Sequence, residues 1–125
     1  MREILFRAKS LITNEWVYGG YYCMPDYRKD EDRHIIAYQD DMPGMQTKHE
    51  PVDVNTLGQY AEWKDIDGDN IFEGMTVNQK SVLTGDKDID FTGEVKFYDG
   101  CFWIDNGKDA VLLCDEIREN KIIEE

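Results

Sequence analysis

The sequence predicts a mainly β protein with little helix, in which an N-terminal β-unit packs against a C-terminal SH3-like small barrel. Three observations carry that reading. Apolar segments alternate with period two, the 15 aromatic residues concentrate in those segments, and Asp-Gly, Asn-Gly or Pro-Gly dipeptides fall between several of them. A length of 125 residues fits one domain spanning 1–125, divisible into a β-unit over 1–60 and a barrel over 70–125.

The elements follow in order. Glu3 to Ala8 places Ile4, Phe6 and Ala8 on one face of a half-buried strand and Glu3, Leu5 and Arg7 on the other. The turn signal Thr13-Asn14 precedes WVYGGYYC, Trp16 to Cys23, whose aromatic and β-branched residues make the second strand of a hairpin. The mixed-charge stretch YRKDEDR reads as a solvated connection to a third strand, Arg33 to Gln39, after which Pro43-Gly44 marks a turn. Asp67-Gly68 lies between LGQYAEW and NIFEG as the turn of a hairpin. Gly74 to Val77 then opens the barrel. Thr92 to Tyr98 puts Val95 and Phe97 on one face, Asp99-Gly100 closes a two-residue hairpin onto Cys101 to Ile104, and Asn106-Gly107 repeats the signal before Val111 to Cys114. The tail CDEIRENKIIEE leaves its period open between a short helix and a final strand. Gly58, Gly74, Gly85 and Gly93 read as turns or strand breaks.

Composition narrows the function classes. The net charge is −13; residues 1–60 carry 7 basic and 10 acidic side chains and residues 61–125 carry 7 and 17. Such a surface repels phosphate, which disfavours sequence-independent nucleic-acid binding. No run of about 18 apolar residues and no apolar leader occur, so neither a membrane span nor a signal peptide is expected, and the expected compartment is the cytoplasm. Cys23, Cys101 and Cys114 are odd in number and lack CxxC spacing, which favours free thiols over a disulfide framework or a zinc cage.

Residues that could carry chemistry are few. Asp65, Asp67 and Asp69 match positions 1, 3 and 5 of a calcium loop, but position 6 is Asn70 and position 12, where a bidentate glutamate belongs, is Thr76. They are weak metal candidates, and a hairpin turn is the favoured reading. Asp86, Asp88 and Asp90 form a second alternating stretch, read as a solvated loop; a divalent-metal hydrolase would need both stretches to meet. His34 and His49 lack any partner spacing, and no nucleophile-elbow, phosphate-loop or dinucleotide pattern occurs. No catalytic residue and no cofactor is therefore assigned. Alternation in YGGYY and FWI forces neighbouring rings onto opposite faces, so some must be exposed. Tyr22, Tyr98 and Trp103 are the expected contact residues for a partner or for self-association.

Several of these segments, in this order, resemble the YopX family, small proteins of phages and of prophages in Gram-positive bacteria. MREILFRAKS is similar to the family's MREIxFRA start, NEWVYGGYY to GxWVYGxY, and HIIAY takes the place of a short apolar strand. TLGQYAEWKDIDGDNIFEGMTV follows TVGQYTGLKDxxGxxIYEGDIV, in which Gly68 makes the tight turn, and TGEVKFYDGCFWI resembles GxVxFxDGxF. Two departures stand out: Met75 replaces the acidic residue of Glu-Gly-Asp, and aspartates occupy positions where the family often has lysine. The resemblance implies a phage or prophage accessory protein in a bacterial host. It implies no established activity. The expected role is a non-catalytic module that binds a host or phage protein or assembles with itself; the alternatives are the metal hydrolase and a nucleic-acid-binding barrel using Tyr98 and Trp103 as stacking platforms.

Overall fold

Period-two alternation buries one face of each strand and exposes the other. The computed structural model of the chain answers to that rule with, among the described residues, eleven strands, all paired antiparallel, and one 3₁₀ turn, Val54–Thr56. The structure describes residues 4–24, 34–39, 46–81, 90–115 and 118–125. Glu3, the YRKDEDR stretch, Pro43-Gly44, Gly85, Asp86, Asp88 and Ile117 lie outside the described residues. The chain divides into two units, Met1–Gln59 and Tyr60–Glu125.

The first unit contains β1 (Phe6–Lys9), β2 (Trp16–Cys23), β3 (His34–Gln39), β4 (Thr47–Pro51) and the first residues of β5 (Gly58–Lys64), in the order β4-β3-β2-β1-β5. Its core is Ala8, Ile36 and Val52, against which Phe6, Val17 and Leu57 pack. The β1–β2 turn is held by the Ser10 hydroxyl, which accepts from the N–H groups of Ile12 at 3.0 Å and Thr13 at 3.2 Å. Strand β4 carries little apolar alternation, and sequence periodicity did not reveal it; Pro51, which has no N–H to donate, ends it. Arg7 departs from its expected place on an open face. It is only 1% exposed, and its guanidinium lies 3.7 Å from the centroid of the Trp16 ring. Arg7 pairs with Tyr18 in the β1–β2 register, which sets Trp16 diagonally across from it, within reach of its long side chain.

The second unit contains the rest of β5, β6 (Asn70–Phe72), β7 (Thr76–Ser81), β8 (Asp90–Tyr98), β9 (Cys101–Asp105), β10 (Ala110–Leu112) and β11 (Arg118–Glu124). Strands β5 and β6 form a hairpin, and the other five form a sheet in the order β10-β9-β8-β7-β11. The tail is thus a strand, paired with β7 from Arg118↔Ser81 to Glu124↔Thr76 with an irregularity after Ile122. Asp99 (φ 52) and Gly100 (φ 75) close β8 onto β9 as a two-residue turn, as Asp-Gly predicts, with Tyr98 opposite Cys101. Between β9 and β10 the connection is longer: Asp105 faces Ala110, and the Asn106 side chain accepts from the N–H groups of Lys108 and Asp109. Gly93 neither turns nor breaks its strand. It lies inside β8, where an added Cβ would come within 2.7 Å of the Asp105 carbonyl.

The five-stranded sheet is open, with no backbone ladder between β10 and β11 among the described residues. Side chains link these edges instead. Gln79 on β7 and Asn120 on β11 are opposed in register and buried at 0% and 2% exposure. The Gln79 amide donates to the Asn120 side-chain oxygen at 3.0 Å and to the Leu112 carbonyl at 2.9 Å, and the Asn120 amide donates to the Leu113 carbonyl at 3.0 Å. Arg118 donates to the Gln79 oxygen at 3.2 Å. The sheet therefore curls until inward amides of one side satisfy carbonyls at the end of the other, around an interior that includes Val77, Val95, Ile104 and Leu113, each at most 1% exposed. Replacing Asn120 by leucine strips the Leu113 carbonyl of its donor and one Gln79 proton of its acceptor. Denaturant unfolding of Asn120→Leu is expected to show a loss of about 1–3 kcal/mol.

Candidate functional site

Asp65 directly follows β5 and is 7% exposed, whereas Asp67 and Asp69 are open to solvent. One oxygen of each carboxylate lies within 4.8 Å of the other two, so the spacing does bring the three groups together. Each contact has a role in the turn. Asp65 Oδ1 accepts from the N–H groups of Asp67 and Asp69, both at 3.0 Å, and Oδ2 accepts from the N–H of Ile122 on β11 at 3.2 Å. The backbone closes a three-residue loop through Asp65 N–H to the Asp69 carbonyl and Gly68 N–H to the Asp65 carbonyl, with Gly68 at φ +84 in the left-handed region. Lys121 makes an ion pair with Asp67. A cation here would compete with three backbone donors and an ammonium, so the arrangement fits a capped hairpin better than a calcium cage. Asp90, of the second stretch, begins β8 and accepts from the Asn78 amide at 2.6 Å.

The histidines both meet tyrosine hydroxyls. His34 Nδ1 and Tyr21 share a hydrogen bond of 2.7 Å with their rings stacked, and His49 Nδ1 and Tyr22 share one of 3.0 Å with their rings edge to face. Sequence reasoning missed these pairs because they arise only from the lateral register β2-β3-β4. Also in the first unit, a groove of about 350 Å³ is lined by Trp16, Tyr18, Tyr38 and Glu50 among others.

The outward face of the five-stranded sheet presents three cross-strand rows. They are Tyr98 and Cys101; Lys96, Trp103 and Leu112; and Glu94, Asp105 and Ala110. Tyr98 and Trp103 are diagonal neighbours whose rings stack at 5.6 Å and 11°. The Trp103 indole N–H donates to the Tyr98 carbonyl at 3.0 Å, and the Tyr98 hydroxyl to Asp105 at 3.4 Å, so the stack is fixed at both ends. Desolvation, followed by the charge of Asp105, its hydrogen bond and then Asp99, pushes the Tyr98 phenol above its ordinary value. Leu112, 44% exposed, extends the apolar surface. Phe97 and Phe102 meet edge to face at 4.8 Å on the opposite face. Of the three expected contact residues, Tyr98 and Trp103 are thus brought together, while Tyr22 belongs to the first unit.

Two units of antiparallel strands without an assembled catalytic set among the described residues define a β-rich protein whose special surface is aromatic. The chain matches the YopX protein family over residues 5–124 and belongs to that family. Neither a curated protein nor a solved structure shows significant similarity to it. Among the described residues no helix is long and apolar enough to cross a membrane.

Two expectations test the aspartate turn. Gly68→Val forces a β-branched residue to positive φ and is expected to lower unfolding free energy by about 1 kcal/mol or more, with no saturable heat on calorimetric titration of either chain with calcium, magnesium or manganese. The second concerns Lys121. Its hydrogen bond to Asp67, the Asp67 charge, and the charges of Asp65 and Asp69 raise its amine above the ordinary 10.5 against a smaller effect of desolvation. The folded state then holds this proton more tightly than the unfolded chain. The pair's contribution is full below about pH 10.5 and fades as pH rises through the higher folded value. The stability gap between wild type and Lys121→Met, followed by denaturant midpoints, should be flat from neutrality to about pH 9.5 and shrink above about pH 10.5.

Proposed function

We propose that this chain is a phage or prophage accessory protein that acts in the bacterial cytoplasm as a non-catalytic interaction module, binding a protein partner or a second copy of itself. The observation that carries the reading is the Tyr98–Trp103 stack: a rigid, solvent-facing aromatic pair continued by Leu112 on an otherwise acidic chain. Aromatic anchors of this type supply large contact area at low entropic cost. Their surroundings favour a protein over a nucleic acid, because Glu94, Asp99 and Asp105 border the stack and the whole chain carries −13. We also read the second unit as an SH3-like small barrel. Support comes from its five antiparallel strands, its Asp-Gly meander and the amide links that join its open edges.

Light scattering across a concentration series, at low and high salt, tests the surface together with affinity capture from host lysate. Wild type is expected to gain mass with concentration or to retain a host or phage protein. Trp103→Ala should weaken either association by about 2 kcal/mol, roughly thirtyfold. A wild-type monomer in both salts that retains nothing, or a Trp103→Ala variant that associates like wild type, overturns the reading.

A further inference from the structure

Cys101 lies at the start of β9 and Cys114 two residues past the end of β10, and the two thiols are close enough to interact electrostatically. The ladder ends with Val111↔Ile104 and Leu112↔Trp103; one further cross-strand bond, from the Leu113 N–H to the Phe102 carbonyl at 3.2 Å, holds the chain to β9 before the Asp115 N–H turns back to the Leu113 carbonyl, so continuing the register by one step sets Cys114 against Cys101. Hydrogen-bonded pairs alternate along an antiparallel ladder. The Asn106 N–H bond to the Asp109 carbonyl and the Leu113–Phe102 bond place 106/109 and 102/113 among them, which leaves 101/114 at a non-hydrogen-bonding position. The other side of β9 agrees. Cys101 faces Tyr98 across a two-residue turn, so its own N–H and C=O are directed to β8 and away from Cys114.

Facing residues at such positions have Cα atoms about 4.5 Å apart, inside the roughly 4.4–6.8 Å that a disulfide spans. Both thiols are free and exposed. Leu113 is fully buried, and its carbonyl is held by Asn120, so the backbone that carries Cys114 is anchored next to the thiol. We propose that Cys101 and Cys114 form a dithiol modification site, which a low-molecular-weight disulfide oxidises to an intramolecular cross-strand disulfide.

The step balances as thiol–disulfide exchange. The Cys101 thiolate attacks one sulfur of the small disulfide, whose S–S bond breaks, and the departing thiolate takes up the proton that Cys101 lost. The Cys114 thiolate then attacks the Cys101 sulfur and expels the second small thiol. The protein loses two electrons and two protons, and the oxidant is reduced to two thiols. The Cys114 thiol is pushed up by burial, by neighbouring Cys101 and by Glu62, so the resolving step accelerates as pH rises above neutrality.

Oxidised glutathione added to the full chain at low protein concentration tests the site. In the Cys23→Ser chain intact mass should drop by about 2 Da with no glutathione retained, and non-reducing peptide mapping should join Cys101 to Cys114, whereas wild type should carry one glutathione, on the exposed Cys23. Cys23→Ser should fall from two thiols to none, whereas Cys101→Ser or Cys114→Ser added to it should stop at a stable glutathione adduct. The Cys23→Ser chain should also bind a trivalent aryl arsenical one to one, and lose it when either further cysteine is replaced. Stable adducts on both cysteines of Cys23→Ser, a link through Cys23, or a bond between two chains overturns the proposal, as does failure to bind the arsenical.

Discussion

An open antiparallel sheet has two edges, and every backbone N–H and C=O on them must find a partner once the sheet curls around a core. In the second unit a few polar side chains meet that constraint. The Asp65–Asp69 turn lies along the free edge of β11, where Ile66 N–H meets the Asn120 carbonyl and the Asp65 carboxylate receives the N–H of Ile122. From the inner face of the same strand the Asn120 amide reaches the Leu113 carbonyl, and Gln79 reaches that of Leu112. A continuous polar path thus runs from the β5–β6 hairpin through β11 to the end of β10. Its buried members are the uncharged amides of Gln79 and Asn120 and the carboxylate of Asp65, whose desolvation is offset by three backbone N–H donors. The apolar residues between them supply the burial, while the amides specify how far the sheet curls.

That curl separates the two faces of β8 and β9. Val95 and Ile104 fill the inside, and the alternate residues Lys96, Tyr98, Trp103 and Asp105 are left outside. The inward face thereby gains a core, and the outward face keeps the Tyr98–Trp103 stack and Leu112 in contact with water. The Asp-Gly turn that fixes the register of β8 on β9 also fixes which rings face outward, since a slip by one residue would exchange the faces. The surface available to a partner and the turn chemistry are therefore linked through register.

The first unit solves a different problem with the buried guanidinium of Arg7. Arg7 lies on a strand otherwise suited to a half-buried face, and the Trp16 ring offers it an electron-rich surface 3.7 Å away. A charge so withdrawn from water is stabilised by an aromatic face and close packing more than by its place in the polar–apolar alternation. The tyrosine–histidine pairs on β2, β3 and β4 follow similar logic, each imidazole meeting a phenol brought alongside by strand pairing.

Local chemistry was enough for the sequence to determine the β class, the Asp99-Gly100 hairpin, the Gly68 turn and the central strands, because side-chain period and positive-φ turns are written within a few adjacent residues. It also singled out the aspartates of 65–69 and the rings of Tyr98 and Trp103. Tertiary structure decided the rest, for lack of a local signal. The tail became a strand because β7 offered an edge, and β4 formed by lateral pairing with β3 despite weak alternation. Arg7 was buried by a tryptophan nine residues away, and Asp65 became a hairpin cap through donors that include Ile122. Gln79 and Asn120, polar residues of a kind usually left to solvent, became interior because the pairing of β7 with β11 sets them opposite one another, 41 positions apart in sequence. A sequence pattern shows which side chains can share a face; the pairing of distant strands shows which of them meet.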